Sequence, residues 1–152
     1  MIIEEGDSDA ATTYNRTLPI ALLRAREAMM DPIREMLAST GLSEQKWRVL
    51  RALEDGGPAD QSLLAQRTCL LLPSLTRILR SLEIDGLLMR ANGIADRRQT
   101  IVSITDSGRH ILWTHARETK AIFAGFEARY EGDELDQLIA LLGKLFCKEP
   151  AG

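Results

Sequence analysis

The chain has 152 residues, 45% of them hydrophobic and only 5% aromatic; this suffices for one domain, or one domain plus an oligomerisation element, around a core of Leu, Ile, Val, Met and Ala. Two cysteines are too few for a disulfide scaffold or a metal cluster, no apolar run nears the roughly 20 residues that span a bilayer, and no basic-then-apolar start marks an export signal. A soluble, cytoplasmic protein is expected, and its net charge of −3 argues against a nucleic-acid partner until the distribution is read.

That distribution is polar. From Arg67 to Arg98 six arginines (Arg67, Arg77, Arg80, Arg90, Arg97, Arg98) face three acids (Glu83, Asp85, Asp96), a local balance of +3 that leaves −6 for the remainder. Acids gather near both ends, at Glu4, Glu5, Asp7 and Asp9 and at Glu131, Asp133, Glu134 and Asp136. One face can approach phosphates while the rest repels them.

In chain order, residues 1–15 read as a flexible acidic tail. Apolar residues at Leu18, Leu22, Ala25, Met29, Ile33 and Met36 then give one long amphipathic helix ending near Gly41, with Pro32 predicting a kink or break inside it. Ser43 caps a helix from Glu44 to Glu54, although Lys46 stands where a capping box needs Glu or Gln. Trp47, Leu50 and Leu53 share its inner side, with Val49 beside them, and Asp55-Gly-Gly-Pro58 ends it. Asp60 or Ser62 caps a short third helix carrying Leu63, Leu64 and Ala65. The link Thr68–Leu72 is short enough for a helix-turn-helix, and Cys69, in a run of leucines, reads as a buried thiol.

Pro73 suits the first turn of the next helix. With Leu72 as its cap, the amides of Ser74 and Leu75 lack a local partner and can meet a phosphate. Leu75, Ile78, Leu79 and Leu82 form the inward stripe; Ser74, Thr76, Arg77 and Arg80 are left outward. Gly86 stops the helix. Leu87–Arg90 and Arg98–Ile104 are strand candidates joined by the turn-rich tip from Ala91 to Asp96. Thr105-Asp-Ser-Gly108 opens a helix predicted to run to about Tyr130. After Gly132-Asp133 a last helix follows, with Leu135, Leu138, Ile139, Leu142, Leu145 and Phe146 on a stripe too wide for a lone surface helix. A helix able to enter a major groove, beside a hairpin whose tip carries Arg97 and Arg98, is what a winged helix-turn-helix needs.

With Ser74-Leu-Thr-Arg77, Leu82-Glu-Ile-Asp-Gly-Leu87, Asp96-Arg-Arg98 and Ile104-Thr-Asp-Ser-Gly108, residues 18 to 147 closely resemble the MarR family of bacterial transcriptional regulators. Within it, Ile20-Ala-Leu-Leu-Arg-Ala-Arg-Glu27, Leu42-Ser-Glu-Gln-Lys-Trp-Arg48 and Cys69-Leu-Leu-Leu-Pro-Ser-Leu-Thr76 resemble regulators of homoprotocatechuate (3,4-dihydroxyphenylacetate) degradation operons. The resemblance implies a mainly α fold with a small β-hairpin wing. Residues 16–40 would dimerise, 41–104 form the winged helix-turn-helix, and 105–148 supply further dimerisation helices. It also implies a homodimeric repressor on a palindromic operator of double-stranded DNA. Ser74, Leu75, Thr76, Arg77, Arg80, Asp96, Arg97 and Arg98 are the DNA-binding candidates. Among them Arg98 resembles the wing arginine of the minor groove and Asp96 the carboxylate that braces it.

Catalysis needs a nucleophile with its base, a metal cluster or convergent carboxylates, and none is visible. His110 and His115 are five apart rather than the four of a helical metal pair, and no Gly-rich phosphate loop occurs. An enzyme, a metal and a cofactor are therefore not expected. The resemblance implies release by a small phenolic or aromatic carboxylate effector, for which Arg24, Arg26, Trp47 and Arg48 could supply a carboxylate clamp and an aromatic wall. Two rival readings stay open: oxidation of Cys69 or Cys147 as the signal, and a winged-helix protein-interaction module that never touches DNA.

Overall fold

The computed structural model describes residues 17–146; the acidic segment 1–15 and Cys147 lie outside that range. Helix α1 (Leu18–Leu37) carries Pro19 in its first turn and continues through Pro32 as one element. It ends before the expected Gly41. Thr40 Oγ1 donates to the Leu37 carbonyl at 2.7 Å and accepts the Leu42 amide at 3.0 Å, and Gly41 then turns the chain at φ 73°. Helix α2 (Glu44–Gly56) starts under the predicted cap, with Ser43 Oγ accepting the Lys46 amide at 3.2 Å. Val49 and Leu50 are 0% exposed, so α2 is the central strut of the core.

The next segment holds an element that sequence missed. Strand β1 (Ala59–Asp60) pairs with β3 (Thr100–Ile104), which also pairs with β2 (Leu88–Asn92), giving an antiparallel sheet in the order β1-β3-β2. A two-residue strand has no period to detect. β2 sits one to two residues later than expected, β3 starts two residues later but ends at Ile104 as expected, and the tip is correspondingly Gly93–Gln99. Between β1 and the wing, α3 (Gln61–Thr68) is capped by Asp60, and α4 (Leu72–Ile84) follows after a three-residue link.

Cys69 sits in that link at φ 55° and is exposed, correcting the buried reading. The chain there needs a left-handed residue to turn one helix into the next, and this conformation turns the thiol away from the core. The end of α4 is a Schellman stop: the Gly86 amide donates to the Glu83 carbonyl at 3.0 Å and the Leu87 amide to that of Leu82 at 2.9 Å.

The single helix expected from Thr105 to Tyr130 is two. Helix α5 (Asp106–Thr114) and α6 (Ala116–Glu127) meet at His115, whose φ of −102° and ψ of 5° are not helical. Thr114 and Thr119 hydroxyls each donate to the carbonyl four residues back, at 2.8 Å, a bond that bends helices. Helix α7 (Glu134–Gly143) follows and buries no residue. Core side chains come from α2 to α5 and the sheet, with Ile33, Met36 and Leu37 closing one end from α1. The outer half of the α1 stripe stays exposed, with Leu18 at 50% and Met29 at 41%.

Candidate nucleic-acid interface

Helix α4 presents two chemically distinct sides. Leu75, Ile78, Leu79 and Leu82 are buried in the core, while Arg77 and Arg80 are exposed and Ser74 and Thr76 half-buried. Leu75 is corrected as a DNA contact. The helix begins one residue earlier than expected, with Leu71 as its cap. The Leu75 amide therefore donates to the Leu71 carbonyl at 2.9 Å. The backbone donors left at this helix start are those of Leu71, Leu72 and Ser74, since Pro73 has none. Thr76 is engaged locally: its Oγ1 donates to the Leu72 carbonyl at 2.9 Å and accepts from Nε2 of Gln61 on α3.

The wing tip is closed by its own backbone. The Gly93 amide donates to the Gln99 carbonyl at 2.7 Å and the Gln99 amide to that of Asp96 at 3.1 Å. A Cβ at Gly93 would lie 2.7 Å from the Asp96 carbonyl oxygen, so a side chain there would force the loop open. Asp96 Oδ1 accepts the Arg98 backbone amide at 2.9 Å. The carboxylate thus shapes the tip through the main chain of Arg98 and not through its guanidinium. Gln99 Nε2 reaches back to Asp60 Oδ2 at 2.5 Å, tying the wing to the cap of α3. The Leu63 amide and then Gln99 hold the Asp60 carboxyl below its ordinary value.

The charges of this face divide into used and unused. Arg90 Nε lies 2.9 Å from Glu83 Oε2, a contact without the angle of a hydrogen bond. Lys46 stands 3.9 Å from Asp85, and Arg67 donates to the Gly57 carbonyl at 3.0 Å. Glu83 and Asp85 thereby have cationic neighbours, and Asp96 is spent on the loop. Arg77, Arg80, Arg97 and Arg98 are exposed and have no ion pair or guanidinium hydrogen bond among the described residues. By contrast Arg26, Arg34, Arg48, Arg51 and Arg109 all pair with carboxylates. Arg24 and Arg117 are also exposed without an ion pair among the described residues, so what distinguishes these four is their position on α4 and the wing tip.

The residues expected to clamp an effector are arranged otherwise. Arg26 donates to both oxygens of Glu44 at 3.0 and 3.1 Å, and Arg48 donates to Glu44 Oε1 at 2.6 Å and to the Thr68 carbonyl at 2.8 Å. The two guanidinium groups do converge, but on the protein's own carboxylate. Trp47 is 8% exposed and belongs to the core; Arg24 is exposed and joins neither arginine. A cavity of about 430 Å³ opens instead between α2 and α6, lined by Arg51, Thr119, Lys120, Phe123 and Glu127 among others. It offers Lys120 as a cation without an ion pair and an aromatic ring, beside Arg51, which is paired with Asp55 at 3.1 Å, and the Glu127 carboxylate. Sequence gave little sign of it, because Arg51 comes from a helix far earlier in the chain. The remaining lining residues repeat every three or four along α6, and that spacing was the one available signal.

Comparison with known proteins identifies the family and the fold. A sequence profile described as the MarR family matches residues 42–100. The chain is 37% identical over 126 residues to the homoprotocatechuate degradative operon repressor of Escherichia coli, covering 83% of this chain and 85% of that protein. It is 37% identical over 135 residues to the HTH-type transcriptional regulator FarR of Neisseria gonorrhoeae, covering 89% and 92%. Among solved structures, NadR in complex with 4-hydroxyphenylacetate superposes with a TM-score of 0.72 at 30% identity, over 85% of this chain and 94% of that one.

Proposed function

This chain belongs to the MarR family of transcriptional regulators, and from that premise we propose that it represses transcription as a homodimer bound to a palindromic operator. Arg77 and Arg80 with Ser74 and Thr76 would enter the major groove, and Arg97 and Arg98 the adjacent minor groove. Such work is done on chromosomal DNA, in the cytoplasm; no helix among the described residues is long and apolar enough to cross a membrane. The observation that carries the reading is the set of four exposed arginines without ion pairs on α4 and the wing tip, in a chain whose net charge is −3. A guanidinium suits the narrow groove because it is permanently charged and weakly hydrated. Affinity for a selected duplex, measured as salt is raised, tests it: phosphate contacts release counterions, so binding must fall steeply. A salt-insensitive protein would instead be a protein-interaction module.

Two copies are needed on physical grounds. Successive major grooves lie about 34 Å apart on one side of the duplex, a spacing two symmetric α4 helices can match. The apolar surface for pairing is present: Ile139 and Leu141 are each 60% exposed, Phe146 78% and Leu23 59%. Two-fold pairing is the commonest way to cover such stripes. Domain roles follow, with α1, α6 and α7 dimerising and residues 41–104 binding DNA.

The effector reading is an aromatic acid. A relative is named for homoprotocatechuate degradation and a structural neighbour holds 4-hydroxyphenylacetate. The α2–α6 cavity fits that chemistry better than the Arg24, Arg26, Trp47 and Arg48 set, since Glu44 already occupies the Arg26–Arg48 clamp. Lys120 has no ion pair among the described residues, and Phe123 lies one helical turn along from it. Titrating an operator complex with hydroxylated arylacetates is expected to release DNA, with a coupling of about 1–3 kcal/mol per effector. Retention of full affinity with every aromatic acid would count against it.

A further inference from the structure

We propose that Thr76 reads a thymine through its methyl group, with Gln61 as the positioning residue that fixes the side chain for that purpose. This deepens the DNA-binding reading above and rests on it. A threonine hydroxyl has one proton and two lone pairs. Here the proton goes to the Leu72 carbonyl, 2.9 Å away, and one lone pair takes a proton from Gln61 Nε2. With its proton spent, Oγ1 has nothing to donate to the N7, O6 or O4 acceptors that dominate the major groove. The part of the side chain left without a role is Cγ2, a methyl group on a stiff β-branched stem.

The thymine C5-methyl is the one apolar group that base pairs present in the major groove, and a threonine methyl is a natural partner for it. Neighbouring side chains divide the work. Arg77, the next residue, is exposed and unpaired, so it supplies donors where Thr76 supplies apolar contact. Gln61 is itself held, being the first residue of α3 immediately after the Asp60 cap, which accepts from Leu63 at 2.8 Å and Gln99 at 2.5 Å. The bond from Gln61 thus sets the Thr76 rotamer from the preceding helix of the motif.

A duplex selected from a random library by the full chain provides the probe, and each thymine in it is replaced in turn by deoxyuridine, which removes only the methyl. At one symmetry-related pair of positions the replacement is expected to weaken binding about three- to fivefold per half-site, the worth of one buried methyl group. Thr76→Val, which keeps the methyl but discards the hydroxyl that Gln61 holds, should shrink that ratio about as far as Gln61→Met does without abolishing it; Thr76→Ser should bring it to one. Gln61→Met should shrink the ratio at that position and leave deoxyuridine effects elsewhere, and the melting temperature, unchanged. Discrimination that survives Thr76→Ser, disappears in Thr76→Val, or is absent at every position in the wild type overturns the proposal. If the wild type selects no duplex at all, it is the DNA-binding reading that fails.

Discussion

Arg98 and Arg109 are the same residue type with opposite surroundings. Arg109 donates to Glu54 at 3.0 Å and to Asp106 at 3.2 Å, whereas the Arg98 guanidinium has no partner among the described residues. Arg98→Ala is therefore expected to weaken operator binding and reduce its salt slope by about one. Arg109→Ala should leave that slope unchanged and cost less than about 1 kcal/mol of stability, as exposed ion pairs do; fluorescence anisotropy across a salt series, with thermal melts, distinguishes them. Asp60 gives a pH signature. Its carboxyl titrates lower when folded because the Leu63 amide and Gln99 favour the charged form. That contribution is complete above the ordinary aspartate value near 4 and disappears as pH falls through the depressed folded value. In Asp60→Asn the acid limb of stability against pH should be flatter across that window, checked by melts from pH 6 to 3. An unchanged limb would mean that the cap and the wing tether do not depend on the charge.

The elements differ in how far local chemistry fixed them. Ser43, Asp60 and Thr105 each start a helix by accepting an amide three residues on, as their side chains require. Gly108 shows what local propensity leaves out. Alanine there would favour helix α5 by about 1 kcal/mol, yet its Cβ would sit 2.3 Å from the Leu87 carbonyl oxygen and 2.7 Å from Ile104 Cγ1. That carbonyl is not free to move, since it accepts the Thr105 amide at 3.1 Å. Overpacking of this kind costs about 1–3 kcal/mol, so Gly108→Ala should lower stability in urea unfolding despite its helix propensity. A stability equal to or above wild type would show that the wing can shift away from α5.

For the whole molecule, the question is what covers α7 and the outer half of α1. A chain this small gains little by exposing Ile139, Leu141 and Phe146 at 60, 60 and 78%, since apolar area left in water forfeits about 25 cal/mol per Å². Ile139→Asp is expected to shift the sedimentation mass from dimer toward monomer and weaken operator binding at least tenfold. Helical circular dichroism should be retained, because the core residues are drawn from α1 to α5 and the sheet. A dimer that survives this substitution unchanged would place the two-fold contact elsewhere. Lys120→Ala should raise the arylacetate concentration needed for release about tenfold while leaving effector-free DNA affinity alone; titration of the operator complex reads both.

The sequence by itself determined the order of the first four helices and the wing, the inward stripe of α4 and the arginines at its outer side and on the wing. These follow from periodicity, caps and charge, which act between residues close in the chain. Only the tertiary structure decided that Leu75 faces the core with its amide used, that Cys69 is exposed in a left-handed turn, and that the long C-terminal helix breaks at His115. It alone paired β1 with β3, closed Arg26 and Arg48 around Glu44, and opened the cavity between Arg51 and Lys120. The sheet pairing, the Glu44 clamp and the cavity depend on groups distant in the chain competing for the same carboxylate, carbonyl or volume, and that competition is resolved only when the helices pack.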